Sequence, residues 1–158
     1  MENNKALVLT GLDRKLERHF ANITKRNLED LIIINSYEEE ISQGFSSLMR
    51  NIILAVYMEK IADIYIIVEK YDKGISIDPE DLYALMEEGG GRVEVIQTLN
   101  YIKTFGQKDM MEWLSVPNHP ESIIQNNIEF IKKHPLIPRT VKVHGYIVNK
   151  DYYYPYQN

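Results

Sequence analysis

The residues of this chain best suited to chemistry sit in one turn, where the apolar run Ile64 to Val68 gives way to Glu69-Lys70-Tyr71-Asp72-Lys73-Gly74. Two amines flanking a carboxylate can pair with one another or present positive charge to a small anion. The same pattern also describes a solvated turn after a buried strand, because charges at strand ends usually face water. A second polar turn, Asn35-Ser36-Tyr37-Glu38-Glu39-Glu40, follows the apolar run Leu31 to Ile34. There is no cysteine in the 158 residues, which excludes disulfides, thiolate nucleophiles and thiolate metal sites.

Other candidates reduce to simpler roles. His19, His119, His134 and His144 fall on different segments with no i, i+4 pair, so each reads as a helix-stop or exposed strand histidine rather than a metal ligand. Gly89-Gly90-Gly91 precedes a helical segment, yet Arg92-Val93 follows where a phosphate loop needs Gly-Lys-Ser/Thr, so it reads as a helix connection.

The elements that position these turns are legible from periodicity. Leu12, Leu16, Phe20 and Ile23 recur at helical spacing and predict an amphipathic helix over Leu12 to Lys25 that covers a sheet face. Leu31 to Ile34 reads as the first strand, apolar and β-branched as if buried on both faces. A helix over Phe45 to Lys60 leads past Asp63 to a second buried strand, Ile64 to Val68, and strand, helix, strand predicts a right-handed parallel crossover. Asp78 as N-cap and Pro79 at the first helical position open a helix that ends near the triple glycine, and another fits Val93 to Phe105. Ser122 to Lys133 is helical until His134-Pro135 stops it. Val141 to Val148 alternates, with Val141, Val143, Gly145 and Ile147 inward and Lys142, His144 and Tyr146 outward. The tyrosine-rich tail 151–158 contains Pro155 and suits a strap over a surface, packing on its own core or offering a partner-binding patch.

Size and charge bound the rest. A chain of 158 residues with 44% hydrophobic content supports one buried core, so the expectation is a single domain over 1–158. Net charge is −5, with 18 basic residues interspersed among 23 acidic ones, which gives no electrostatic footprint for nucleic acid. No apolar run approaches the ~20 residues that span a bilayer, and the N-terminus lacks the apolar core and cleavage site of a secretory signal. A cytoplasmic protein without a membrane span is expected.

The second half adds ordered identities: Trp113-Leu114, Pro120-Glu121-Ser122-Ile123, Asn126 to Lys133, then His134-Pro135-Leu136-Ile137-Pro138 and Val141 to Ile147. With the strand and turn at Ile64 to Gly74, this resembles the β-class carbonic anhydrases of the small bacterial type, from about Leu31 onward. The resemblance implies an α/β fold, a short mainly parallel sheet flanked by helices, with zinc held by two thiolates and an imidazole. The first thiolate of that family lies in a Cys-x-Asp-x-Arg turn after the first strand, and the other two donors lie in a His-x-Asp-Cys-Gly-like turn. On this reading Asn35 stands for the first Cys, Tyr37 for the Asp, Glu39 for the Arg, Lys70 for the His and Lys73 for the second Cys. Asp72 and Gly74 persist.

Those substitutions have a chemical consequence. Bound zinc lowers the pKa of its water from about 15.7 to near 7, which supplies hydroxide for attack on carbon dioxide. An ammonium has no lone pair and repels the cation, so Asn and two Lys cannot replace thiolates and imidazole. The resemblance therefore implies a relative without zinc or other cofactor, non-catalytic, with a binding, regulatory or scaffolding role in inorganic-carbon metabolism. The alternative is an enzyme, a carbonic anhydrase or other small-anion enzyme working through a different ligand set. A lysine near the vacated metal position would pair with Asp72 or Glu38 to Glu40, or bind an anion such as bicarbonate.

Only 35 positions separate Asn35 from Lys70, fewer than the family places between its first Cys and its His, so the edge segment of the sheet is expected to be trimmed. The family also implies a homodimer, with the helix Leu12 to Lys25 as the candidate dimer element, and leaves room for a further protein partner.

Overall fold

The computed structural model describes residues 4–11, 14–36, 46–70, 79–102, 110–114 and 119–156. They fall into two compact units, Met1–Tyr71 with His119–Asn158, and Asp72–Asn118. The helices of the second unit are short, and Ile96 is its one buried apolar residue among those described.

The first unit is built on a five-stranded sheet ordered β2-β1-β3-β4-β5, with β1 Ala6–Thr10, β2 Leu31–Asn35, β3 Asp63–Glu69, β4 Lys142–Asn149 and β5 Tyr152–Pro155. The first three pairings are parallel and β4 with β5 is antiparallel. This is the mainly parallel α/β sheet that the sequence implied, with one correction. Leu31 to Ile34 is the second strand, not the first. A strand the sequence reading passed over, β1, lies between β2 and β3 and is buried along its whole length.

On one side the sheet ends in β2, where only Leu31 of the four apolar residues is buried. A strand with a neighbour on one side only cannot cover Ile32, Ile33 and Ile34 as an inner strand would.

Alternation along the buried strands divides the core in two. Leu7 and Leu9 of β1 with Ile64, Ile66 and Val68 of β3 pack against α2, Ser47–Met58, and α6, Pro120–Lys133, through Met49, Ile52, Val56, Ile123, Ile124 and Ile131. Ala6, Val8, Tyr65 and Ile67 face the other side and meet Leu16, Phe20 and Ile23. Burial of each such side chain contributes about 1.5 to 3 kcal/mol, so helices on both faces are what keep the apolar β3 out of water.

The segment expected as one amphipathic helix is a 3-10 helix, Arg14–His19, continued by α1, Phe20–Thr24, and ended by Lys25 in the left-handed region. It covers a sheet face as predicted, and Arg18 Nη2 fastens it to the β4–β5 turn through Lys150 O at 2.9 Å and Asp151 Oδ1 at 3.0 Å.

In β4 Tyr146, read as outward, is not simply solvated: it packs against the second core cluster, to which the buried Val148 belongs, because the sheet is covered on both faces. The tail is a strand, β5, with Pro155 in its last position on the sheet edge, where a missing N–H is tolerated.

Helix boundaries follow local chemistry. Ser46 caps α2 by accepting from Met49 N at 3.1 Å, and His134 ends α6 with extended backbone ahead of Pro135. Removing the cap by Ser46→Ala should lower stability by about 1 kcal/mol, measured as a shift in the urea midpoint at unchanged m-value. In the second unit α3 is Pro79–Glu88, with Pro79 at its start as expected, and α4, Ile96–Ile102, and α5, Met110–Leu114, follow. Gly90 adopts φ 84°, which explains a glycine at the end of α3.

Candidate functional site

In open parallel sheets, ligands bind beyond the carboxyl ends of the strands, where the strand order reverses. Here that point lies between β1 and β3, since the chain leaves β1 to form β2 on one side and later places β3 on the other. β1 ends at Thr10 and is followed by Gly11, and β3 ends at Glu69 and is followed by Lys70. Thr10 is buried, and its hydroxyl has no hydrogen-bond partner. Lys70 is exposed, with its backbone N–H continuing the ladder to Val148 O at 2.8 Å.

Asn35 lies elsewhere in the sheet than a zinc ligand opposite Lys70 would require. It ends the edge strand β2, pairs with Thr10 in register, and its Nδ2 donates to Gly11 O at 2.8 Å. Its side chain is thus engaged in closing β2 onto the end of β1. Tyr37 and Glu39, with Glu38 and Glu40, lie outside the described residues, as do Asp72, Lys73 and Gly74.

The residues present do not fit zinc. Of the described candidate positions, Asn35 offers an amide already bonded to backbone and Lys70 an ammonium, and the chain has no thiolate to contribute. Among the described residues no group of three His, Cys, Asp or Glu is placed to hold a metal ion.

A second polar constellation, which the sequence reading missed, occupies the amino ends of β3 and β4. Asp63 was taken as a separator before the strand, but it is the first residue of β3 and accepts from Arg26 Nη2 at 2.9 Å. Its other oxygen, Oδ1, lies 2.9 Å from His144 Nε2. Arg26 further donates to Asn4 O at 2.7 Å, Thr24 O at 3.0 Å and the Tyr65 hydroxyl at 3.1 Å. The His144 ring stacks on Tyr65 with centroids 4.6 Å apart.

Burial pushes the Asp63 carboxyl up, but hydrogen bonds from His144 and Arg26, with their charges, outweigh it and hold the group below the ordinary carboxylate range. The Tyr146 hydroxyl goes the other way, raised by burial and by neighbouring Tyr65 and Tyr153. This cluster lies at the end of the sheet opposite the strand switch, and every member has a structural partner. The expected roles of two histidines change accordingly: His144 is a half-buried ion-pair partner, and His19 is buried with Nε2 at 3.1 Å from Lys150 O. His134 keeps its role as helix stop, its Nδ1 accepting from Leu136 N at 3.1 Å.

No profile of a known protein family matches the sequence. Individual proteins do. The chain is 29% identical over 153 residues to the carbonic anhydrase-like protein YbcF of Bacillus subtilis, covering 94% of this chain and 83% of that one. It is 28% identical over 148 residues to YtiB of the same organism, also named for carbonic anhydrase, covering 93% and 76%.

Solved structures give the same architecture. A β-carbonic anhydrase of Trichomonas vaginalis superposes with a TM-score of 0.73 at 19% identity, covering 100% of this chain and 87% of that one. A carbonic anhydrase of Streptococcus mutans superposes with a TM-score of 0.63 at 14% identity, covering 99% and 86%. The chain thus has the fold of the β-carbonic anhydrases and, along more than nine-tenths of its length, is similar in sequence to proteins named for carbonic anhydrase, while offering no cysteine to a metal.

Proposed function

We propose that this chain is a non-catalytic relative of the carbonic anhydrases, with a binding, regulatory or scaffolding role in place of carbon dioxide hydration. The observation that carries the reading is the donor set: no thiolate anywhere in the chain and an ammonium at the end of β3. Without a metal, hydroxide near neutral pH is scarcer by roughly eight orders of magnitude. The half-buried histidine of the chain, His144, is held by Asp63 at the far end of the sheet and supplies no base at the strand switch.

The ligand on this reading is a small anion of the bicarbonate kind, attracted by the positive charge of Lys70 and Lys73. The proposed assembly is a homodimer or a multiple of one, a reading supported by a β-carbonic anhydrase from Sordaria macrospora that shares the fold, with a TM-score of 0.54, and is tetrameric.

Two measurements on purified protein test the proposal together. Elemental analysis after growth with added zinc should find well below one zinc per chain, and stopped-flow assays should find hydration at the uncatalysed rate. Stoichiometric zinc with hydration above background would overturn it in favour of a different ligand set.

A further inference from the structure

The pattern Cys-x-Asp-x-Arg follows the first strand in the resembling family, and the sheet shows that the first strand here is β1 rather than β2. We infer that Gly11, at the end of β1, and not Asn35, occupies the position of the missing first donor. The metal site was therefore lost on this side by deletion of a side chain rather than by its exchange for an amide. This inference rests on the reading that the chain descends from a zinc-binding ancestor.

Geometry decides between the two positions. Zinc holds its donors at about 2.0 to 2.3 Å, so they must converge from neighbouring parts of the sheet. β1 is hydrogen-bonded directly to β3, with Thr10 opposite Ile67, so the end of β1 leads to the side of the end of β3, where Lys70 stands. β2 does not touch β3, because β1 separates them. Adjacent strands are about 4.8 Å apart and next-but-one strands about twice that. A short side chain such as a cysteine at 35 would start one whole strand too far from Lys70.

The sequence agrees with the sheet. From Gly11 the chain reads Gly11-Leu12-Asp13-Arg14-Lys15, with an Asp and a cation at the third and fifth positions, as in the family pattern. From Asn35 those positions hold Tyr37 and Glu39, which match neither. Leu12 and Asp13 lie outside the described residues, so the placement rests on Gly11, which is buried, and on the pairing of β1 with β3.

Two variants test the placement by metal binding alone. Cobalt(II) is titrated into Gly11→Cys/Lys70→His and into Asn35→Cys/Lys70→His, each shown by far-ultraviolet circular dichroism to keep the parent fold. The first should bind one equivalent with a thiolate-to-cobalt absorption band, roughly tenfold tighter or more than the second. Equal or tighter binding by the Asn35 variant, or no binding by either folded variant, would overturn the inference. If the Gly11 variant does not fold, the Asn35 variant decides: a thiolate band there overturns the placement, and its absence supports it. Zinc bound by the unmodified chain would instead count against the proposed function, leaving the comparison of the two variants to be read on its own.

Discussion

Replacing Gly145 with alanine should destabilise the protein by about 2 to 3 kcal/mol, an unusually large effect for adding one methyl group. A Cβ at this position would sit well inside van der Waals contact of Ile124 Cγ2 and 3.2 Å from Tyr156 Cβ. Ile124 is fully buried in α6 and its Cγ2 is fixed to the branched Cβ, so it cannot swing aside as the end of a long side chain would. Glycine here is the condition for α6 to lie against β4. Sequence alternation alone placed it on the inward face and gave no reason for a glycine there.

The control is Ile124→Ala, which removes the clashing methyl. Alone it should cost about 2 to 5 kcal/mol as a core truncation, but Gly145→Ala added to it should cost roughly 1 kcal/mol or less. Urea denaturation of the four proteins of this double-mutant cycle reads the coupling. A neutral Gly145→Ala, or strictly additive losses, would show that helix and strand are not in the contact described.

The second large effect is expected at Asp63. Its carboxylate joins Arg26, whose side chain is 13% exposed, to His144. Asp63→Ala leaves the guanidinium short of its charge partner in a site that is mostly dry, a loss of about 2 to 3 kcal/mol, toward the lower end for a broken buried pair because Asp63 itself is 21% exposed. Arg26 keeps its bonds to Asn4 O, Thr24 O and the Tyr65 hydroxyl, so the fold should persist and the loss be measurable.

Acid should remove the same stabilisation in the parent. Because the folded-state pKa of Asp63 lies below the ordinary 3.8, the carboxylate contributes its stability fully above the unfolded value and loses it as pH falls through the lower folded one. The stability gap between the parent and Asp63→Asn should therefore hold its full size above about pH 5 and shrink below pH 3.8. A gap that grew on acidification would mean that the carboxyl is held protonated in the fold.

Most elements were written in local pattern. The helices α2 and α6, the stop at His134-Pro135, the strand after Asp63 and the alternating β4 all carry periodicities or turn residues that need no partner to be read. β1 was not read, because Ala6-Leu7-Val8-Leu9-Thr10 is a short run buried on both faces, which shows no alternation and offers too few residues to separate from a loop. Its own signal was the glycine that ends it.

That omission propagated to the site. The absence of thiolates, the lysine at the end of β3 and the chemistry those exclude are properties of composition and of one contiguous turn, and the sequence alone determined them. Which other turn faces Lys70 is a property of strand order. The order β2-β1-β3 inserts the first strand between its two successors, so the segment 35 positions before Lys70 lies a strand away, while one 59 positions before it lies at the neighbouring strand end. Strand order is fixed by burial of β1 on both faces and by ladder bonds to both neighbours, interactions between residues far apart in the chain, and so only the tertiary structure could decide it.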